Sequence, residues 1–332
     1  MKRIRFAMVT FAMLLCVTAA ASSESAPTIG VSVSRFDDPF LSAVRNAMEA
    51  ASKGTASLAT GAIVDSQNSQ SMQNNNVDML ISQGVDALAI NPVNGDACAE
   101  MVRKSEAAGI PIVFFGREPD FVGMEDNANW YYVGAQAESS GMMSGQILVD
   151  YFTANPPIDG VIHYVMLRGE QVYQDGIHSE YAISRLGEVG FVLEALAVDS
   201  ARWSRDEGRD KMTAWLAAFG DEIDCVLGNN DDMALGAIEA LKGEGYFTDG
   251  KYMPVVGVGA TASALEALKD GALLGTVSTD AMNQGRAALL LAVAAATGDF
   301  TGFPYEIVNR YVWIPCKIVT KENCADFEAS VP

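Results

Sequence analysis

Histidine is almost missing from this chain: its 332 residues hold only His163 and His178. Cysteine is sparse as well, with Cys16, Cys98, Cys225, Cys316 and Cys324 at spacings that match no zinc pattern. Positive charge is in short supply: 22 Lys and Arg face 42 Asp and Glu, for a net charge of −20. Such a surface repels phosphate backbones and anionic lipid heads, which excludes nucleic acid and membrane surfaces as partners. No stretch offers the roughly 20 consecutive apolar residues that cross a bilayer. Nucleophile elbow, HExxH and P-loop are all missing. Asp37 and Asp38 are adjacent in one connection, which does not fix the opposed carboxylates of sugar hydrolysis. Nothing here reads as an enzyme, and no cofactor is implied.

What is present begins with an export signal. Lys2, Arg3 and Arg5 precede the apolar run Phe6–Cys16, which leads to the small residues Ala19, Ala20, Ala21 and Ser22. Charged start, short apolar middle and small-residue exit predict a cleaved secretory signal over residues 1–21 and a periplasmic mature chain. Cys16 admits a lipoprotein reading, but Leu15 before it is larger than the small residue such signals want. In an oxidising compartment Cys316 and Cys324, eight apart, are candidates for a disulfide. Their pairing stays open, because spacing does not supply a Cα separation.

Beyond the signal, short apolar runs alternate with helical stretches. Strands are predicted at Thr28–Val33, Ala62–Val64, Ala87–Ile90, Ile112–Phe115, Ile162–Leu167, Val192–Leu196, Ile223–Leu227, Val255–Val258 and Leu274–Val277. They are too apolar to alternate, as parallel strands covered on both faces are. This βα rhythm predicts an α/β fold, and its length predicts two similar lobes with parallel sheets.

The unusual residues fall just beyond these strands. "IGVSVSRFDDPFLSAVRNAMEAA", residues 29–51, crowds two acids and two phenyl rings into its strand-to-helix connection. Asp38 and Phe40 lie there; Asn91, Asp175, Trp203, Asn230 and Thr279 follow later strands. Open α/β sheets bind ligands beyond the carboxyl ends of their strands. Each residue has a plainer reading beside this one. Asp38 before Pro39 serves as a helix N-cap, as do Asn91 and Asn230 in their turns. Phe40 and Trp203 read as core, and His178 as a solvated helix residue.

Taken together, "DSQNSQSMQNNNVDMLISQGVDALAINPVN", "IPIVFFGREP", "YYVGAQAESSG", "NNDDMALGAIEALK" and "DGALLGTVSTDAMNQG" follow one template in order. From about Thr28 to Phe327 the chain resembles the periplasmic galactose/glucose-binding proteins, within the type I sugar-binding family of ABC transporters. The resemblance implies two Rossmann-like lobes joined by a three-segment hinge, near Phe115–Arg117, Val277–Asp280 and Tyr311–Pro315. One lobe would comprise residues 27–115 with 280–311, the other 116–279 with 312–332. It also implies capture of a monosaccharide between the lobes and delivery to an ABC permease, with a chemoreceptor as further partner of some relatives. Phe40 and Trp203 would stack on the sugar faces, while Asp38, Asn91, Asp175 and Asn230 bind its hydroxyl rim. The family's site histidine falls at Tyr173, and its arginine at His178 or, without a one-residue deletion, at Ser179. Ser34 replaces a tyrosine, Gly259 an aspartate and Thr279 an asparagine. A galactose-type hexose leads, followed by a pentose, another polyol or a related polar signal. Nutritive and sensory roles both remain open. The family's calcium loop falls on "NPPIDGVIHY" with Asp224 as its distant acid, a donor set too poor in oxygen for that ion.

Overall fold

The computed structural model describes residues 26–53, 55–120, 129–169 and 173–330. The signal segment 1–21, Cys16 included, therefore lies outside the described residues.

Among the described residues twelve strands build two sheets. The first takes β1 (Thr28–Val33), β2 (Ser57–Asp65), β3 (Ala87–Ile90), β4 (Ile112–Phe115) and β5 (Trp130–Gly134). The second takes β6 (Val161–Arg168), β7 (Val192–Ser200), β8 (Cys225–Gly228), β9 (Val255–Val258) and β10 (Gly275–Ser278). Late in the chain β11 (Tyr311–Trp313) returns to the first sheet and β12 (Lys317–Thr320) to the second. Spatial orders are β11-β5-β4-β3-β1-β2 and β12-β10-β9-β8-β6-β7. Every pairing is parallel except β10 with β12.

The missing alternation in "ALAI" and "IVFF" has its cause in this architecture: both strands are buried along their whole length. Helices α1 (Pro39–Ser52) and α9 (Ala281–Thr297) cover one face of the first sheet. The other face carries α2 (Gln70–Ser82) and α3 (Cys98–Ala107). The second sheet is covered by α4 (Ala137–Ala154) and α5 (Tyr173–Val189) on one side. On its other side lie α6 (Arg205–Phe219), α7 (Asp231–Gly243) and α8 (Ala262–Asp270).

Two expectations change. The first passage between sheets is not at Phe115–Arg117, because β5 pairs with β4 and extends the first sheet. The chain leaves that sheet between Gly134 and the start of α4 at Ala137, so residues 130–134 join the first lobe. It passes again between β10 and α9, and between β11 and β12. All four described cysteines are free and buried. Cys316 packs among residues of α4 and α5, Cys324 with those of α7 and α8. The second sheet stands between them, so burial rather than pairing accounts for both.

Paired helices approach closely enough to touch by backbone. A Cβ on Gly236 of α7 would overlap the Arg205 carbonyl of α6, and one on Gly285 of α9 the Val44 carbonyl of α1. Gly236→Val must push α6 away from the second sheet. The expected cost is about 3 kcal/mol, or a fall of roughly 6–12 °C in Tm for a lobe of this size. Thermal melts followed by circular dichroism check it; an unchanged Tm would mean that the helices are not in contact there.

Candidate binding cleft

The carboxyl ends of both sheets face one cavity of about 220 Å³. From the first sheet's side come Ser34, Arg35, Asp38, Phe40, Asn91 and Gln284; from the second, Ser140, His178, Trp203, Asn229, Asn230 and Gly259. Thr279 lines it from the β10–α9 passage. Seven of the nine residues predicted from sequence thus line one cavity: Asp38, Phe40, Asn91, His178, Trp203, Asn230 and Thr279. The other two, Tyr173 and Asp175, fall in the first turn of α5, and their side chains lie outside the described residues.

Asp38 and Asn230 cap helices and also line the cavity, whereas Asn91 caps none. Asp38 Oδ1 accepts the Leu41 N–H at 3.0 Å and caps α1, whose first residue is Pro39. Asn230 Oδ1 accepts the Met233 N–H at 2.9 Å and caps α7. Asn91 is tied more completely. Its Oδ1 accepts from Ser34 N–H at 3.2 Å and Ser34 Oγ at 2.6 Å, and its Nδ2 donates to the Phe115 carbonyl at 3.0 Å. That joins the ends of β1, β3 and β4 and leaves one Nδ2 hydrogen for the cavity.

Trp203 is placed by strain. Arg202 and Trp203 both have left-handed backbones, at φ 46° and 60°, which bulky residues adopt only when their surroundings enforce it. The Arg202 N–H donates to the Gly169 carbonyl at 3.0 Å, and the indole lies against Gly169, where a Cβ would overlap the ring. Only glycine at 169 lets the ring lie there.

Four ionisable side chains line the cavity, Arg35, Asp38, Arg117 and His178, and around Asp38 the charges disfavour an anion. Asp37 holds Arg35 through Nε at 2.5 Å and Nη2 at 2.6 Å, so this guanidinium is already neutralised. Its remaining Nη1 reaches across to the Arg202 carbonyl at 3.4 Å. Burial raises the Asp38 carboxyl above its ordinary range, against the pull of the Leu41 N–H and Arg35. Asp232, in the first turn of α7, is pushed up to about 6 by burial and then by the Asp38 charge. Two carboxylates from opposite lobes therefore sense each other, and a neutral or cationic solute suits them better than an acid.

His178 is buried, not solvated, and its Nδ1 stands 2.6 Å from Ser140 Oγ. Ser179 is turned away and donates to Asn229 Oδ1 at 3.4 Å. Between the two candidates for the arginine's place, His178 is the one that lines the cavity. Burial lowers its pKa to about 4, so at neutral pH it presents an uncharged ring. Sequence reasoning missed Arg35, Ser140, Asn229 and Gln284 as lining residues; the "RFDD" pairing of Arg35 with Asp37 was the one readable signal among them.

The stretch equated with a calcium loop does not fit the ion. Asp224 Oδ2 accepts the His163 N–H at 2.7 Å and faces its Nδ1 at 3.2 Å, and Asp159 Oδ1 accepts the Val161 N–H at 3.0 Å. Those oxygens are spent on backbone, while Pro157 and Val161 bring none from their side chains.

A folded-state pKa of about 4 against 6.5 unfolded means that the unfolded chain binds the His178 proton first. Stability contributed by neutral His178 is full above pH 6.5 and is lost as pH falls towards 4, by on the order of 3 kcal/mol. Between pH 7 and 4, His178→Asn should lose less Tm than the wild type. Equal losses in both would place the titration elsewhere.

A family profile described as "Periplasmic binding protein domain" matches residues 29–299. The D-galactose/methyl-galactoside binding periplasmic protein MglB of Haemophilus influenzae is 36% identical over 327 residues, covering 96% of this chain and 97% of that protein. A putative rhizopine-binding protein of Rhizobium meliloti is 33% identical over 97% of this chain and 98% of its own. Among solved structures, an ABC transporter solute-binding protein of Bacillus halodurans with bound myo-inositol superposes with a TM-score of 0.78. It is 32% identical, with 93% of this chain and 100% of that one covered. The chain belongs to the periplasmic binding protein family, the solute-binding components of ABC transporters, and it binds its solute rather than transforming it.

Proposed function

We propose that the cleft captures one monosaccharide, a galactose-type hexose first, and that the two sheets are lobes that close on it and present it to an ABC permease. The observation that supports this reading most is the pairing of Phe40 and Trp203, contributed from opposite sheets to one cavity that also holds Asp38 and Asn230. Aromatic faces suit the C–H faces of a sugar ring, and amide and carboxylate groups suit its hydroxyl edge. At about 220 Å³ the cavity lies below the roughly 300–1,000 Å³ of drug-sized sites. One small ring is what it can enclose. Closure would turn about the three passages between sheets, the hinge motion common to such clefts.

A second reading is favoured by Ser34, His178, Gly259 and Thr279, which depart from the resembled pattern at four lining positions. It gives the site a pentose, or a cyclic polyol such as the myo-inositol bound by the Bacillus halodurans relative, in a nutritive or a sensory role. A chemoreceptor partner rests on the resemblance alone.

Calorimetry against D-galactose, D-glucose, D-ribose and myo-inositol separates the two readings. With the sugar that binds, tryptophan emission should change as closure excludes water around Trp203. Trp203→Ala should weaken binding about 5- to 30-fold, on the order of 1–2 kcal/mol for a lost stacking face. Asp38→Asn keeps the helix cap, so it should leave Tm nearly unchanged and still weaken binding tenfold or more. A variant that keeps its affinity would reduce Asp38 to a cap.

A further inference from the structure

The main cavity has a neighbour on the Phe40 side. This second cavity, also about 220 Å³, shares Phe40 and Gly259 with it. Its other walls are chiefly apolar: Pro39 and Ala43 of α1, Ala260 and Ala262 after β9, Ala281 of α9 and Phe327. Like the main cavity it lies between the two lobes, so the two spaces adjoin across one aromatic edge and one bare Cα.

Two features define what this space accepts. Asp280 is the one ionisable residue among those lining it, and both its oxygens are engaged within α9. Oδ1 accepts the Asn283 N–H at 3.1 Å and Oδ2 accepts Asn283 Nδ2 at 2.7 Å. An anionic group would find no counter-charge there, and an apolar wall holds water poorly. Gly259 is the other feature. The resemblance sets an aspartate at this position, whereas here φ is +134° and no side chain stands between the cavities. A Cβ would come within 3.0 Å of Asp231 Oδ2 and 3.5 Å of Thr261 Cγ2, so the opening is bounded by fixed neighbours.

We propose that the second cavity is a subsite for a small apolar substituent of the ligand. The solute is then a derivatised sugar or cyclic polyol, an O-alkyl ether or a glycoside. Its hydroxylated ring occupies the main cavity and its apolar group passes between Phe40 and Gly259. The proposal rests on the polyhydroxy-ring reading given above and adds the substituent to it.

Calorimetry with paired probes tests it: D-galactose, D-glucose, D-ribose and myo-inositol, each beside its monomethyl ethers, and for the sugars the methyl and phenyl glycosides. At least one derivative should bind more tightly than its parent ring, by about fourfold for each methyl-sized group buried. Ala262, exposed at the first position of α8, and Ser42 of α1 line only the second cavity. Ala262→Trp and, independently, Ser42→Leu should abolish that gain and leave the parent's affinity within about twofold, with a melting curve verifying the fold of each. A parent that binds while no derivative binds better overturns the subsite alone, as does a gain that survives both filling variants. Failure of every bare and substituted probe to bind overturns the polyhydroxy reading and the subsite with it.

Discussion

Backbone groups at the ends of strands and the starts of helices must be satisfied, and in this chain three of the side chains that satisfy them also face the cleft. Asp38 and Asn230 each use one oxygen to cap a helix, and Asn91 uses both ends of its amide to tie three strands together. Their remaining atoms face the cavity with no freedom to reorient. The same bonds that terminate β1, β3 and β8 therefore preorganise the polar rim, and a ligand need not bear the entropy of ordering it. Strain at Trp203 belongs to the same economy, because the Arg202 N–H just before it is bonded to the Gly169 carbonyl at the neighbouring strand end.

Charge follows from burial in that setting. Arg35 is committed to Asp37, Arg117 donates to the Val93 carbonyl, and His178 is neutral at pH 7; Asp38 is the carboxyl of the cavity wall, and Asp232 is near enough to sense its charge. Since burial already makes both carboxyls reluctant to ionise, groups that donate hydrogen bonds without adding negative charge are the natural complement. Hydroxyls do so.

Much of the fold was legible because parallel strands covered on both faces must be uniformly apolar, as β3 and β4 are. β5 escaped notice as a strand since "WYYVG" reads equally as an aromatic turn, and its omission displaced the first lobe boundary. At the site, residues announced by an abrupt strand-to-helix junction were readable: Asp38, Phe40, Asn91 and Asn230 all sit at one. Ser140 and Gln284 were not, for they lie on regular helices that give no local sign of which face meets the other sheet. Whether His178 or Ser179 faced the cleft turned on a one-residue register in α5, which only packing against Ser140 and Asn229 decides.

The central claim is that this cleft holds a neutral polyhydroxylated ring. A thermal-shift screen of the purified chain against equal concentrations of neutral monosaccharides and cyclic polyols, amino acids and small carboxylates tests it most directly. Ligand at 1,000 times its Kd stabilises the folded state by about 4 kcal/mol, so the right class should raise Tm by several degrees. The account predicts that the largest shift comes from an uncharged sugar or cyclic polyol and that carboxylates give none. A shift confined to amino acids or carboxylates would contradict it.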